Sequence, residues 1–90
     1  MNDDLLRAID LAIDDQWDEA HEIAQRYESD SMAQWIHAVL HKIEGDLSNS
    51  RYWYRQAGRL DWVDRDWVDS DWVDKEPLDE LRSIRAMITG

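Results

Sequence analysis

The sequence predicts an all-α fold: two antiparallel helical hairpins followed by a C-terminal helix that caps them. Apolar residues recur at helical spacing along most of the chain, and helix-capping residues stand at the breaks between those stretches. The pattern also returns when the chain is shifted by thirty residues, as supersecondary repeats do. Ninety residues allow one small domain and no second core.

Asn2 or Asp3 can cap a first helix running to about Asp14, on which Leu5, Leu6, Ile9, Ala12 and Ile13 share one face. Asp14-Asp15 breaks and recaps the chain. A second helix, from about Gln16 to Glu28, turns Trp17, Ala20, Ile23, Ala24 and Tyr27 inward. Asp18, Glu19 and Glu22 lie near its N-terminus, where the helix dipole favours negative charge. Ser29-Asp30-Ser31 supplies the cap of a third helix, about Ser31 to Glu44, with Met32, Trp35, Ile36, Val39, Leu40 and Ile43 as its stripe. Gly45 suits the left-handed stop after it. Asp46 can cap a fourth helix from about Leu47 to Arg59, burying Leu47, Ser50, Trp53, Tyr54 and Ala57. Pro77 suits the first turn of a last helix, striped by Leu78, Leu81, Ile84 and Ile88.

The thirty-residue shift lays Leu5 on Trp35, Leu6 on Ile36, Ala8 on Ala38, Ile9 on Val39 and Ile13 on Ile43. It lays Asp14-Asp15 on Glu44-Gly45, Trp17 on Leu47, Ala20 on Ser50 and Ile23 on Trp53. Small residues at Ala20 and Ser50 let the two helices of each hairpin approach closely. Residues 1–60 thus form two hairpins, 61–76 an insertion, and 77–90 the last helix of the same domain.

The stretch Gly45-Asp46-Leu47-Ser48-Asn49-Ser50-Arg51-Tyr52-Trp53-Tyr54-Arg55-Gln56-Ala57 resembles the second helix of tetratricopeptide and Sel1-like repeats, which show a turn glycine, a small residue, then W-Y-x-x-A. It departs from them in a shorter period and in Ser50, where those repeats carry alanine. Trp17-Asp18-Glu19-Ala20-His21, the run from Trp35 to Asp46, and Tyr52-Trp53-Tyr54-Arg55 together are similar to a group of short bacterial proteins of unassigned function. That resemblance implies an α-helical, repeat-like fold and supplies no activity.

Composition excludes several functional classes. The chain carries 21 acids against 10 bases, a formal net charge of −11, and no cysteine. A disulfide framework and a thiolate metal site are therefore out, and any metal must be held by His, Asp or Glu. Strong acidity disfavours nucleic acid or anionic lipid as the main partner. No apolar run approaches the ~18 residues of a membrane span, and Met-Asn-Asp-Asp lacks the basic start of a signal peptide, so the expected location is cytoplasmic. The charge is uneven: −8 over residues 1–30, +2 over 31–60 and −5 over 61–90.

Residues 61–75 read D-W-V-D-x three times over. A period of five fits neither regular element. On a helix Trp62, Trp67 and Trp72 step by about 140°, and on a strand they alternate faces. The segment is read as an irregular acidic insertion. It is either a neutral duplication or a linear motif whose tryptophans anchor in a partner while its aspartates steer towards a basic surface. Arg51, Arg55 and Arg59 form a row at i, i+4, i+8 on the fourth helix, which can meet this loop, an acidic peptide or a small phosphorylated ligand.

Histidines carry the remaining chemistry. His37, His41 and Glu44, at i, i+4, i+7, flank the stripe of the third helix, and His21 borders the inner face of the second. Two imidazoles one turn apart plus a carboxylate can chelate zinc or a similar divalent metal, or act as an acid/base pair. They can equally be boundary residues hydrogen-bonded to carbonyls or to Asp18 or Asp46, and H-x-x-x-H alone specifies no mechanism. Trp17, Trp35 and Trp53 are expected to be packing residues. The leading expectation is a non-enzymatic module without a cofactor. It would bind a protein or peptide, or itself, through the groove between hairpins or the D-W-V-D loop. The alternative is a divalent-metal or acid/base site on His21, His37, His41 and Glu44.

Overall fold

Helix stops in this chain are set by local backbone chemistry, and the computed structural model, which describes residues 2–58 and 76–90, shows them clearly. Among the described residues there are five helices and no strand. Helix α1 (Asn2–Ile13) ends where Asp15 adopts a left-handed φ of 64°. Asp15 N–H then reaches the Ala12 carbonyl, and Gln16 N–H reaches that of Leu11. Helix α3 (Ser31–Glu44) ends in the same way thirty residues later. Gly45 has φ 85°, its N–H bonds to Lys42, and Asp46 N–H bonds to His41. This double bond pattern satisfies carbonyls that a helix end would otherwise leave orphaned.

Helix starts are less uniform. Asp30 caps α3 by accepting from Ala33 N–H at 3.0 Å, and Asp46 caps α4 (Leu47–Gln56) by accepting from Asn49 N–H at 3.3 Å. Helix α2 (Trp17–Arg26) follows Gln16, whose side chain makes no capping bond, so Asp14-Asp15 breaks the chain without recapping it. Helix α5 (Pro77–Thr89) begins on its proline. Two helices are shorter than their patterns suggest. α2 stops at Arg26 before a turn, and α4 stops at Gln56, ahead of Gly58 with φ 74°.

Consecutive helices pack in pairs, α1 with α2 and α3 with α4, while α2 also meets α3. Helix α5 lies on α1 and α3, the first helix of each pair, so the face those two share is covered by the chain's own C-terminal helix. The core holds Leu5, Ile9, Trp35, Ile36, Leu40, Tyr54, Leu81 and Ile84, all essentially inaccessible. Ala20 and Ser50 are buried, and Ser50 Oγ donates to the Ala38 carbonyl at 2.7 Å, tying α4 to α3. Three stripe residues are corrected outward. Leu47 is 55% exposed, Leu78 41% and Ile43 37%, and all three sit in the first or last turn of their helices, where fewer neighbouring turns cover a side chain. Ile43 and Leu78 line an open groove of about 420 Å³ with Ala12, Ile13 and Pro77.

One buried charge holds α5 in place. Glu80 is fully buried and its carboxylate accepts from Trp35 Nε1 at 2.7 Å, Lys42 Nζ at 2.6 Å and Tyr54 OH at 2.7 Å. Burial, and then the neighbouring Glu80 charge, hold the Tyr54 phenol well above its ordinary range, so it remains a donor. No helix among the described residues is long and apolar enough to cross a membrane.

Candidate metal centre

Three helices build the histidine site. Trp17 and His21 lie one turn apart on α2, His37 and His41 one turn apart on α3, and Trp53 comes from α4. Residues at i and i+4 share a helix face, so each pair points the same way across the α2–α3 boundary. His21 Nε2 lies 3.0 Å from His37 Nε2, and one ring nitrogen of each of His21, His37 and His41 lies within 4.8 Å of the others. A metal about 2.0–2.1 Å from each imidazole nitrogen holds neighbouring nitrogens about 2.9–3.4 Å apart. The first pair already meets that spacing.

Aromatic rings clamp the cluster. Trp17 stacks on His21 with centroids 4.6 Å apart, and Trp53 stacks on His37 at 4.0 Å. His37 also stacks on His41 at 4.9 Å. Trp17 Nε1 donates to the Leu40 carbonyl at 2.7 Å, which anchors the α2 end of the clamp to α3. Trp35 is the fully buried packing residue expected. Trp17 and Trp53 are only half-buried and pack on imidazoles as well as on the core.

The cluster's polar atoms are poorly matched. His37 is buried, and its Nδ1 has no hydrogen-bond partner among the described residues. Burial, helped by the charges of His21 and His41, lowers its pKa from 6.5 to about 3. His21 is lowered too, chiefly by burial and then by His41, with Glu44 and Asp18 pulling the other way. Both rings are therefore neutral near pH 7 and keep the lone pairs a metal needs. His41 Nδ1 lies 2.5 Å from Glu44 Oε2.

The structure thus brings His21, His37 and His41 together and places Glu44 against His41, outside the three-histidine group; Glu44 instead groups with His41 and Asp46. Arg51 and Arg55 stand on α4, half-buried and exposed respectively. Arg59, Trp62, Trp67 and Trp72 lie outside the described residues. Reading the sequence missed the stacking roles of Trp17 and Trp53. The i, i+4 spacing of Trp17 and His21, the same as that of His37 and His41, was the available signal.

Fold and site together define a small all-α domain with a three-imidazole cluster at a helix–helix boundary. No family model matches the chain, and no curated protein or solved structure matches it.

Proposed function

We propose that this protein binds a divalent transition-metal ion through His21, His37 and His41. The observation that carries the reading is the convergence of three ring nitrogens within 4.8 Å, drawn from two helices, with the closest pair at 3.0 Å. Neutral imidazole donors suit zinc, copper and nickel, and they do not suit magnesium or calcium. The unpartnered His37 Nδ1 and the lowered proton affinity of His37 argue against a cluster kept for its own hydrogen bonds. Bound metal would tie α2 to α3 and so join the two helix pairs. We read those pairs as tetratricopeptide-like hairpins closed by α5, a reading supported by the matching turns at Asp15 and Gly45.

The test is calorimetric titration of the full chain with Zn²⁺ near pH 7.5, with Mg²⁺ as the control for loose binding to an acidic surface. Zinc is expected to bind one ion per chain, with magnesium showing no such site. At a hundred times its dissociation constant zinc should stabilise the fold by about 2.7 kcal/mol. Zinc binding of equal strength in wild type and in a His21→Ala variant would overturn the reading.

A further inference from the structure

Resting on the metal-binding reading, we propose that Glu44 is a positioning residue. Its carboxylate holds His41 Nδ1–H, so that His41 presents Nε2 to the ion shared with His21 and His37. The 2.5 Å contact joins residues one turn apart at i, i+3 on α3, at the end of the helix where His41 is already buried. Of the two carboxylates grouped with His41, that of Asp46 is committed to the start of α4. It accepts from Asn49 N–H and from Asn49 Nδ2 at 2.6 Å. Glu44 therefore supplies the carboxylate for the ring. A carboxylate on the far nitrogen of a ligating histidine fixes its tautomer, orients the ring and raises its donor strength.

Within the cluster this makes the rings unequal. His37 is fixed by stacking on Trp53 and has no partner at Nδ1 among the described residues, whereas His41 is fixed by a charge-assisted hydrogen bond. Counting Glu44 as a ligand by its i+7 spacing from His37 misses this, because the contact it makes is to Nδ1 of His41.

Glu44 is exposed, so its substitution leaves the core untouched. The experiment compares zinc titrations of wild type, Glu44→Ala and Glu44→Gln, together with long-range ¹H–¹⁵N spectra of the zinc-loaded chain. The expected result is a loss of zinc affinity of about 10–100-fold in Glu44→Ala, with Glu44→Gln in between. In the zinc-loaded wild type, His41 should carry its proton on Nδ1 and the metal on Nε2. Equal affinity in all three proteins, metal on His41 Nδ1, or a carboxylate oxygen in the zinc shell by X-ray absorption would each overturn the positioning role. Failure of the wild type itself to bind zinc would overturn the metal-binding reading beneath it.

Discussion

Helix α3 carries two buried polar clusters on different faces, since Trp35 and Lys42 lie about 100–160° around the axis from His37 and His41. At the first, the Glu80 carboxylate receives an indole N–H, an ammonium and a phenol, all within 2.8 Å. At the second, among the described residues, three imidazoles share one nitrogen–nitrogen contact and one carboxylate, and a buried ring nitrogen has no partner. A saturated network spends its bonding capacity on holding helices together. An unsaturated one, with ring nitrogens converging, has capacity left for a ligand. Burial alone does not separate structure from function here; the matching of donors to acceptors does.

The contrast can be broken most forcefully at Glu80. Glu80→Ala leaves Lys42, Tyr54 and Trp35 facing a buried gap and should cost about 3–5 kcal/mol in chemical denaturation. A cost under about 1 kcal/mol would mean that Leu81 and Ile84 alone hold α5, and the two clusters would then not differ in kind.

A second effect is pH dependence. The native pKa of His37 is near 3 against 6.5 in the unfolded chain, so between those values the unfolded state binds the extra proton. Stability is therefore free of this penalty above pH 6.5 and falls as the pH drops towards 3, by up to about 1.4 kcal/mol per unit from this group. Denaturation curves of wild type and His37→Leu across that window should diverge, the variant having the shallower slope. Parallel curves would place His37 in a more open environment.

Smaller still is the change that His37→Leu makes at neutral pH without metal. Removing a mismatched buried polar group in favour of an apolar one should cost no more than about 1 kcal/mol. A loss as large as that from Glu80→Ala would make the histidine cluster a structural network like its counterpart. At the bottom of the scale, Leu47→Ser should move stability by no more than about 0.5 kcal/mol, because the side chain is mostly in solvent. A larger loss would put Leu47 back in the core.

Much of the fold was legible residue by residue. Asp30, Gly45, Asp46 and Pro77 act at helix ends through bonds and dihedral angles that involve only near neighbours, so their positions could be read directly. Leu47 and Leu78 were misplaced because helical periodicity names a face without saying which of its turns the rest of the fold covers. Within the site, the His37–His41 spacing was readable along one helix. The approach of His21 was open to reading only as a possibility, since it depends on how α2 crosses α3. Glu80 went unremarked among 21 acids, although it stands one turn before Ile84 on the same face of α5.

The amino-acid sequence by itself determined an all-α fold for the described residues, the turns at Asp15 and Gly45, and the supply of chelating groups limited to imidazoles and carboxylates by the lack of cysteine. These follow from backbone preferences and side-chain chemistry acting over a few residues. Tertiary structure alone decided that, among the described residues, Glu80 would find three donors and His37 Nδ1 would find no partner. The two kinds of site use groups that look alike in sequence. What separates them is the set of atoms brought within 3 Å by helices distant in the chain, and desolvation there makes each match or mismatch count.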